Sequence, residues 1–336
     1  MDSLTQIVLG AAVGEAMLSR KLGNKAMLLG AIGGTVPDLD VLYNLYNSDP
    51  IAHLVVHRSY THSVFMQAIY TLPFVWASLK WIKSDIRWQT WYMFWFLCFF
   101  THSLLDCCTT YGTQLFMPFT NRQIGFNNIS VVDPLYTIPF LVLLGSCLFF
   151  HRASSKRRSL FRAAIIVSSA YMLFSFIAKG ISTKVYIDNL QENHIKYDKL
   201  ITTPSLLNTI LWSATAINKD TLYVGEYSLL KNDSDIQWAK FPRNLDYENG
   251  FSCYELEVLK WFSTSYYALG KKGNDTLVFY NAKCGRASFE SQDPDKTFLF
   301  NTLIYQEQGM TKHKMTDIET FDRKKLLTDL FNRMGL

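Results

Sequence analysis

The pattern of hydrophobic positions divides the chain into two unlike parts. Apolar runs fill roughly the first 180 positions, whereas the remainder reads as a water-soluble protein with alternating apolar and polar residues. Four of the runs predict membrane-spanning helices, because each has about 16 to 18 residues without a formal charge. They lie at 63–80, 88–106, 133–151 and 162–180.

Two shorter apolar stretches precede these runs, at 3–19 and 26–37. The first contains Glu15 and the second is rich in glycine, which lets helices approach closely. The pattern leaves open whether each helix crosses the membrane or re-enters it. The sequence therefore predicts a mainly α-helical, polytopic membrane domain over residues 1–182, with four spans and two short N-terminal helices.

A second domain, with an α+β fold, is predicted over residues 183–336. Apolar alternation with a period of two predicts strands, and the tripeptide Asn218 to Asp220 predicts the turn of a hairpin. The residues 270–274 predict a second turn. The predicted strands are 209–217, 221–229, 256–268, 275–282 and 297–305. The stretch 319–334 has the pattern of an amphipathic helix.

The charges suggest a membrane protein rather than a nucleic-acid-binding protein. The net charge is +5, and the basic residues concentrate in the short loops 20–25, 80–88 and 151–162. The loops 38–62 and 107–132 contain Arg58 and Arg122 as their basic residues. The positive-inside rule then places the basic loops in the cytoplasm. We expect a multi-pass protein of the bacterial inner membrane, with residues after about 180 outside the cytoplasm.

The six cysteines contain no CxxC pair, which argues against a zinc ribbon. Cys253 and Cys284 lie alone in the polar part of the chain. They can form a disulfide if that part is outside the cytoplasm, and the sequence leaves the question open.

The tripeptide Thr-His-Ser occurs at 61–63 and at 101–103, each time at the edge of an apolar segment. His102 and Asp106 are spaced i and i+4 on a predicted helix and therefore share one face. Such a pair is either two ligands of one metal, a ligand with the residue that orients it, or a hydrogen-bonded polar pair. Asp38 and Asp40 point the same way in an extended segment, and Asp is also common in turns that end helices.

The predicted topology brings these ionisable residues to the outer face of the membrane. A charged side chain in the middle of a membrane costs about 2.5–3.5 kcal/mol, and a divalent cation would compensate several such groups. Mixed histidine and carboxylate ligands suit Zn²⁺, Mn²⁺ or Fe²⁺. We therefore predict one or two divalent ions. The predicted ligands are Asp38, Asp40, His57, His62, His102 and Asp106.

Several segments of the first 180 residues resemble the YdjM/DUF457 family of bacterial inner-membrane proteins. The matching segments are Met1 to Thr5, Gly10 to Glu15, Gly30 to Asp40, His57 to Ser63 and Thr101 to Asp106. The family is described as membrane-bound metal-dependent hydrolases, so the resemblance implies hydrolysis without naming a substrate. The chain carries Gln6 where many family members have His.

The expected activity is metal-assisted hydrolysis of an ester or phosphoester. Asp106 or Asp133, if not bound to metal, would accept the proton. Arg58 is read either as a phosphate-binding group or as an interfacial anchor. A site at headgroup depth favours a lipid or lipid-linked substrate, with the bilayer as partner, no nucleic acid and no identified protein partner.

Two other functions are compatible with the same residues. One is a non-catalytic membrane protein with a structural metal site or an ion-handling cluster, and the other is a scaffold whose outer domain binds a partner.

Overall fold

The structure is a computed structural model that divides the chain into two compact units, Met1–Ser175 and Phe176–Leu336. It describes residues 1–231, 236–251, 253–273, 275–286, 291, 293–307, 310–315 and 323–335. The first unit is helical and the second contains two antiparallel sheets. This confirms the predicted fold class, except for the number of membrane spans.

Helices form the first unit. Its α-helices are α1 (Ser3–Leu22), α2 (Asn24–Thr35), α3 (Pro50–Val56), α4 (Val64–Trp81), α5 (Trp88–Cys107), α6 (Pro134–Ser146) and the beginning of α7 (Ser155–Glu192). Short 3₁₀ helices lie between them at Val36–Leu45, Tyr60–His62 and Cys147–Phe149.

Glycines bring the backbones of α1 and α2 into direct contact. A Cβ atom added at Gly10 would lie 2.1 Å from the carbonyl oxygen of Gly30, and one at Gly34 would lie 2.2 Å from that of Gln6. No residue with a side chain fits at such distances, so these positions need glycine for close approach. The contact places the last turn of α2 beside the first turns of α1.

A buried ion pair joins α1 to α7 within the first unit. Arg157 donates to both carboxylate oxygens of Glu15, at 2.7 and 2.6 Å, and to Asn24 at 2.7 Å. The pair explains how Glu15 is tolerated in an apolar segment, because a buried charge needs a hydrogen-bonded partner.

Helix α4 directs polar side chains inward and apolar ones outward. It buries Gln67, Thr71 and Ser78 and exposes Phe65, Ile69, Leu72 and Trp76. Two of the inner polar groups find partners in α5, since Gln67 donates to Ser103 at 2.6 Å and Trp95 donates to Ser78 at 2.8 Å. Such an inverted distribution is typical of helices surrounded by lipid, where the apolar side chains need no burial.

The prediction of four spans is wrong in number. Among the described residues, two helical segments are long and apolar enough to cross a membrane, Asn24–Leu45 and Ser155–Glu192. The second contains the predicted span 162–180, and the first contains the shorter stretch 26–37. The segments 63–80 and 88–106 are helices, but their Trp, Tyr, Gln and Thr residues lower the mean hydropathy. Near 133–151, the helical segment Pro134–Phe149 is about 24 Å long, short of the roughly 30 Å hydrocarbon core.

The second unit contains two four-stranded antiparallel sheets, β1-β2-β3-β4 and β5-β6-β7-β8. The strands of the first are β1 (Lys199–Pro204), β2 (Leu211–Ile217), β3 (Thr221–Ser228) and β4 (Ala239–Pro242). Those of the second are β5 (Tyr267–Lys272), β6 (Thr276–Arg286), β7 (Phe298–Glu307) and β8 (Met310–Met315). The helices are α8 (Tyr254–Ser263), α9 (Pro294–Thr297) and α10 (Arg323–Met334), and a 3₁₀ helix covers Leu245–Gly250. Apolar side chains from both sheets share one core.

The structure confirms the hairpin of β2 and β3 around Asn218 and corrects the next element. The stretch 256–268 was predicted as a strand, but Tyr254–Ser263 is helical and β5 starts at Tyr267. Leu256, Leu259 and Phe262 recur every three residues and are buried, so helical periodicity outweighs the short run of alternation.

Some predicted features of the second unit lie at or beyond the limits of the described residues. Asn274, in the second predicted turn, is outside them, as are residues 319–322 of the predicted C-terminal helix, which the structure describes as Arg323–Met334. Cys253 and Cys284 are not joined by a disulfide.

The helix contact predicts that Gly30→Ala destabilises the first unit by about 1–3 kcal/mol through overpacking. Its Cβ would lie 2.1 Å from the carbonyl oxygen of Gly10. Gly145→Ala in α6 is the matched control, because its Cβ would meet no atom within 4 Å. Thermal unfolding in detergent would show a lower Tm for Gly30→Ala alone. Equal Tm values for both variants would contradict the close contact.

Candidate metal centre

Six side chains from three parts of the first unit meet in two overlapping groups. The inner group is Asp38, His62, His102 and Asp106, and the outer group is Asp38, Asp40 and His57. Within each group the potential ligand atoms lie within 4.8 Å of one another. The aspartates 38 and 40 come from the 3₁₀ helix Val36–Leu45, the histidines 57 and 62 flank the turn before α4, and the remaining two residues lie on α5. The structure thus brings together all six predicted ligands, with Asp38 in both groups.

The distances within the inner group match a small tetrahedral ion. The two Nε2 atoms of His62 and His102 lie 3.2 Å apart. Asp38 Oδ1 lies 3.5 and 3.3 Å from them, and Asp106 Oδ2 lies 3.1 and 3.5 Å from them. Ligand bonds of 2.0–2.1 Å in a tetrahedron give ligand–ligand edges of about 3.3 Å. The residues present therefore fit a divalent cation at their centre.

Hydrogen bonds at the far side of each ring determine which nitrogen faces the centre. His102 Nδ1 lies 2.7 Å from the carbonyl oxygen of Gly34, which accepts only, so Nδ1 carries the proton. Thr61 donates to Asp40 at 3.0 Å and therefore accepts from Nδ1 of His62 at 2.9 Å. In the neutral rings both Nε2 atoms then present lone pairs to each other, and two carboxylate oxygens face the same point. Four electron-pair donors that face one point make this group a candidate site for a cation.

Asp106 is buried and its Oδ2 has no hydrogen bond among the described residues. This oxygen lies 3.1 Å from Nε of Arg58, close enough for an ion pair but not aligned for a hydrogen bond. The other oxygen, Oδ1, accepts from Gln6 at 3.0 Å and from the amino group of Met1. A buried carboxylate oxygen without a hydrogen bond is costly, so this atom also indicates a ligand position.

Gln6 occupies the place beside the cluster where the family resemblance leads us to expect a histidine. Its Nε2 donates to Asp106 and to the carbonyl oxygen of His102, and its buried Oε1 has no hydrogen bond among the described residues. Gln6 thus holds Asp106 through Oδ1, whereas Oδ2 is the oxygen that faces the two histidines.

The outer group opens onto a small cavity. Asp40 lies 2.9 Å from Nδ1 of His57 through Oδ1, and its Oδ2 accepts from Thr61 and from the backbone N–H of Arg58. A cavity of about 150 Å³ lies against both residues, lined also by Tyr43, His53 and Tyr111, among others. The Asp38 side chain is 21% exposed and that of His57 is 32% exposed, whereas His62, His102 and Asp106 are at most 1% exposed. The outer group is therefore the part of the cluster that solutes reach.

Arg58 lies behind the cluster and is 4% exposed. Its guanidinium pairs with Asp106, donates to Thr109 at 2.8 Å and lies 4.9 Å from the centre of the Tyr111 ring. Its φ of 60° is unusual for a residue with a side chain, and strain of this kind clusters at functional sites. Its burial argues against the interfacial anchor considered from the sequence.

Asp133 does not belong to either group. It caps α6 by accepting from the backbone N–H groups of Leu135 and Tyr136, and it accepts from the hydroxyl of Tyr171 at 2.8 and 2.9 Å. These contacts give Asp133 a structural role that the sequence did not indicate.

The two Thr-His-Ser copies differ in what their threonines do. Thr61 connects His62 to Asp40, whereas Thr101 donates to the carbonyl oxygen of Leu97 in its own helix at 2.7 Å. The supporting role of Gln67, which holds the carbonyl oxygen of Thr61 at 3.2 Å, was also missed. A glutamine within an apolar run was the available signal, because such residues need a partner inside the bundle.

Comparison with known proteins supports the membrane assignment without adding an activity. Residues 1–182, which include every residue of both groups, match the family described as YdjM inner membrane protein. An uncharacterized protein, YfhP of Bacillus subtilis, is 22% identical over 232 residues, covering 67% of this chain and 68% of its own length. No solved structure matches the chain significantly.

The convergence of ligand atoms predicts that purified protein contains at least one transition-metal ion, lost in His62→Ala and His102→Ala. His151→Ala removes an exposed histidine outside both groups and serves as the control. Elemental analysis after dialysis measures the metal content. Absence of stoichiometric metal in the wild type, or equal content in all variants, would rule out the inner site.

The difference between the two threonines predicts that Thr61→Val weakens metal binding about 10- to 100-fold, the usual effect of removing a group that orients ligands. Thr101→Val makes the same chemical change away from the cluster and should leave affinity unchanged. Competition with a fluorescent chelator gives both dissociation constants. A loss of similar size in both variants would show that Thr61 has no special role.

Proposed function

The chain belongs to the YdjM inner membrane protein family, and from this membership we propose that it is a membrane-bound, metal-dependent hydrolase of esters or phosphoesters. The observation that carries the proposal is the inner group, where two imidazole nitrogens and two carboxylate oxygens converge at 3.1–3.5 Å. The partly exposed His57, with the buried side chain of Asp40 beside it at the same cavity, supplies the place where a substrate can enter.

The inner group would hold the resident ion, through His62, His102, Asp38 and Asp106. Its edge lengths and mixed nitrogen and oxygen donors suit Zn²⁺, with Mn²⁺ or Fe²⁺ as alternatives. Such an ion, when bound, supplies Lewis acidity and makes water acidic enough to attack at neutral pH. Arg58 and Gln6 keep Asp106 in position, and Arg58 offsets its charge.

The Asp40–His57 pair is our candidate for proton transfer. The carboxylate orients the imidazole through Nδ1 at 2.9 Å, which is the arrangement that general bases use. Asp106 suits this role less because both its oxygens face other groups, and Asp133 is engaged at α6. A second ion held by Asp38, Asp40 and His57 is the alternative, and the metal content per chain distinguishes one ion from two.

A lipid or lipid-linked substrate is favoured by the surface around the outer group. The 3₁₀ helix that carries Asp38 and Asp40 exposes four aliphatic side chains, and the residue that follows it is exposed as well: Leu39, Val41, Leu42 and Leu45, then Tyr46. An apolar rim beside a polar cavity suits a ligand with an acyl chain and a polar head. The inverted polarity of α4 supports the same membrane setting.

We propose that this site lies at the outer face of the membrane. It rests on the basic loops 20–25, 80–88 and 151–162, which the positive-inside rule assigns to the cytoplasm. The second unit would then lie outside the cytoplasm.

A structural metal site is the competing function, and the burial of the inner group favours it. Structural zinc sites are closed and fully coordinated by protein, as these four residues would allow. A purely structural site would not require the outer group of Asp38, Asp40 and His57. Hydrolysis assays on variants of that group therefore separate the two functions.

The proposal predicts that His57→Ala lowers hydrolysis of bis(p-nitrophenyl) phosphate or p-nitrophenyl acetate about 10²- to 10⁴-fold, the usual contribution of a general base. Metal in the inner group should remain. His53→Ala is the control, because this residue lines the same cavity but lies in neither ligand group and bonds to the carbonyl oxygen of Asn47 at 2.7 Å. Unchanged turnover in His57→Ala, or full activity after chelation of the metal, would refute the mechanism.

The proposed topology predicts that alkaline phosphatase fused after residue 195 is active, because this enzyme folds outside the cytoplasm. A fusion within the basic loop at residue 84 should be inactive. The reverse pattern would place the second unit in the cytoplasm.

A further inference from the structure

The second unit contains a polar cleft that the metal centre does not use. It has a volume of about 300 Å³. Its polar lining is Asp198, Lys199, Arg243, Lys260, Ser265 and Tyr267. These residues lie at the start of β1, directly after β4, in α8, in the turn after α8 and at the start of β5. Three cationic side chains and one carboxylate thus surround one space.

Arg243 forms the base of this cleft as a buried cation. It is 6% exposed, and its guanidinium donates to the carbonyl oxygens of Tyr267, Asn218 and Ser265 at 3.0–3.1 Å. These bonds use three of its five N–H groups. Among the described residues no carboxylate forms an ion pair with it, which is uncommon for a buried charge. Burial also lowers the pKa of this guanidinium, but arginine still keeps its charge at neutral pH.

The two lysines differ in how far their charge is balanced. Lys260 donates to Glu248 at 2.9 Å and to Glu257 at 3.1 Å, so its charge is largely compensated. Lys199 is exposed and donates to the hydroxyl of Ser265 at 3.2 Å. Asp198 is exposed at the same edge. Among the described residues, the cations of the cleft that form no ion pair are therefore Arg243 and Lys199.

The backbone at the edge of the cleft is strained. Thr264 and Ser265 have φ values of 51° and 79°, and Asn244 has 49°. Two successive residues with side chains in the left-handed region are energetically costly, and such strain clusters at functional sites. Here it directs the carbonyl oxygen of Ser265 to Arg243 and its hydroxyl to Lys199.

We propose that this cleft binds a phosphate group, either as free phosphate or as the head of a phosphate ester. Arg243, Lys199 and the hydroxyl of Ser265 offer donors from different directions, as a tetrahedral oxyanion requires. The volume exceeds that of the phosphate itself and leaves room for a small organic part. The proposal does not depend on the metal centre.

The test is titration of the full-length protein in detergent with inorganic phosphate and with glycerol 1-phosphate, at constant ionic strength, by calorimetry. Lys199→Gln should weaken binding roughly tenfold, because it removes one charged hydrogen-bond donor. Asp198→Asn should strengthen binding, because it removes the repelling carboxylate. Lys196→Gln is the control for net charge, since Lys196 is exposed nearby but does not line the cleft.

Nanodiscs that contain phosphatidic acid, compared with phosphatidylcholine alone, form the second arm. Saturable binding of inorganic phosphate indicates a free anion, and binding of phosphatidic acid alone indicates a lipid head. Either supports the proposal if Lys199→Gln is weaker than Lys196→Gln. Phosphate held at the metal centre would leave these two variants equal. Equal constants, or no saturation with any of the three ligands, would overturn the proposal. Arg243→Lys is unsuitable as the main variant because its three carbonyl contacts support the fold.

Discussion

The constraint on which the first unit depends is the meeting of four electron-pair donors in a buried place. His62 and His102 turn their protonated nitrogens away from each other, and Asp38 and Asp106 add negative charge to the same point. In an apolar helix bundle such an arrangement is unfavourable without a positive charge at its centre. Arg58 offsets part of the charge but is not aligned to satisfy the facing oxygen. The geometry therefore makes this cluster a candidate cation site.

The contact between α1 and α2 supports this arrangement from a distance. Because Gly10, Gly30 and Gly34 lack side chains, the two backbones touch, and the last turn of α2 delivers the carbonyl oxygen of Gly34 to His102. The same contact sets Gln6 against Asp106. The packing of α1 against α2 thus also determines which groups hold His102 and Asp106 in place. A side chain at the glycine contact would push apart the two helices and with them the carbonyl oxygen of Gly34 that accepts from His102.

The two units use buried polar groups differently. In the first unit polar side chains point inward from helices with apolar outer faces, as expected when lipid replaces water as the surrounding medium. In the second unit an apolar core lies between two sheets, and the polar groups concentrate in a cleft around Arg243. The family match covers residues 1–182, which include the inward-pointing polar groups of the first unit but not the cleft around Arg243. The second unit therefore has to be understood from its own residues.

The sequence by itself indicated the six residues of the candidate metal cluster and most of the helices. Histidines and aspartates at the edges of apolar runs are conspicuous because such placement is costly, and the i, i+4 spacing puts His102 and Asp106 on one face. Only the tertiary structure decided that Asp38 belongs to both groups, that Asp133 caps α6 and that Thr61, unlike Thr101, supports a ligand. The spacing of residues along the chain determines which of them lie on the same face of one helix or strand. Contacts between residues distant in sequence follow from how the helices pack, which no local pattern records.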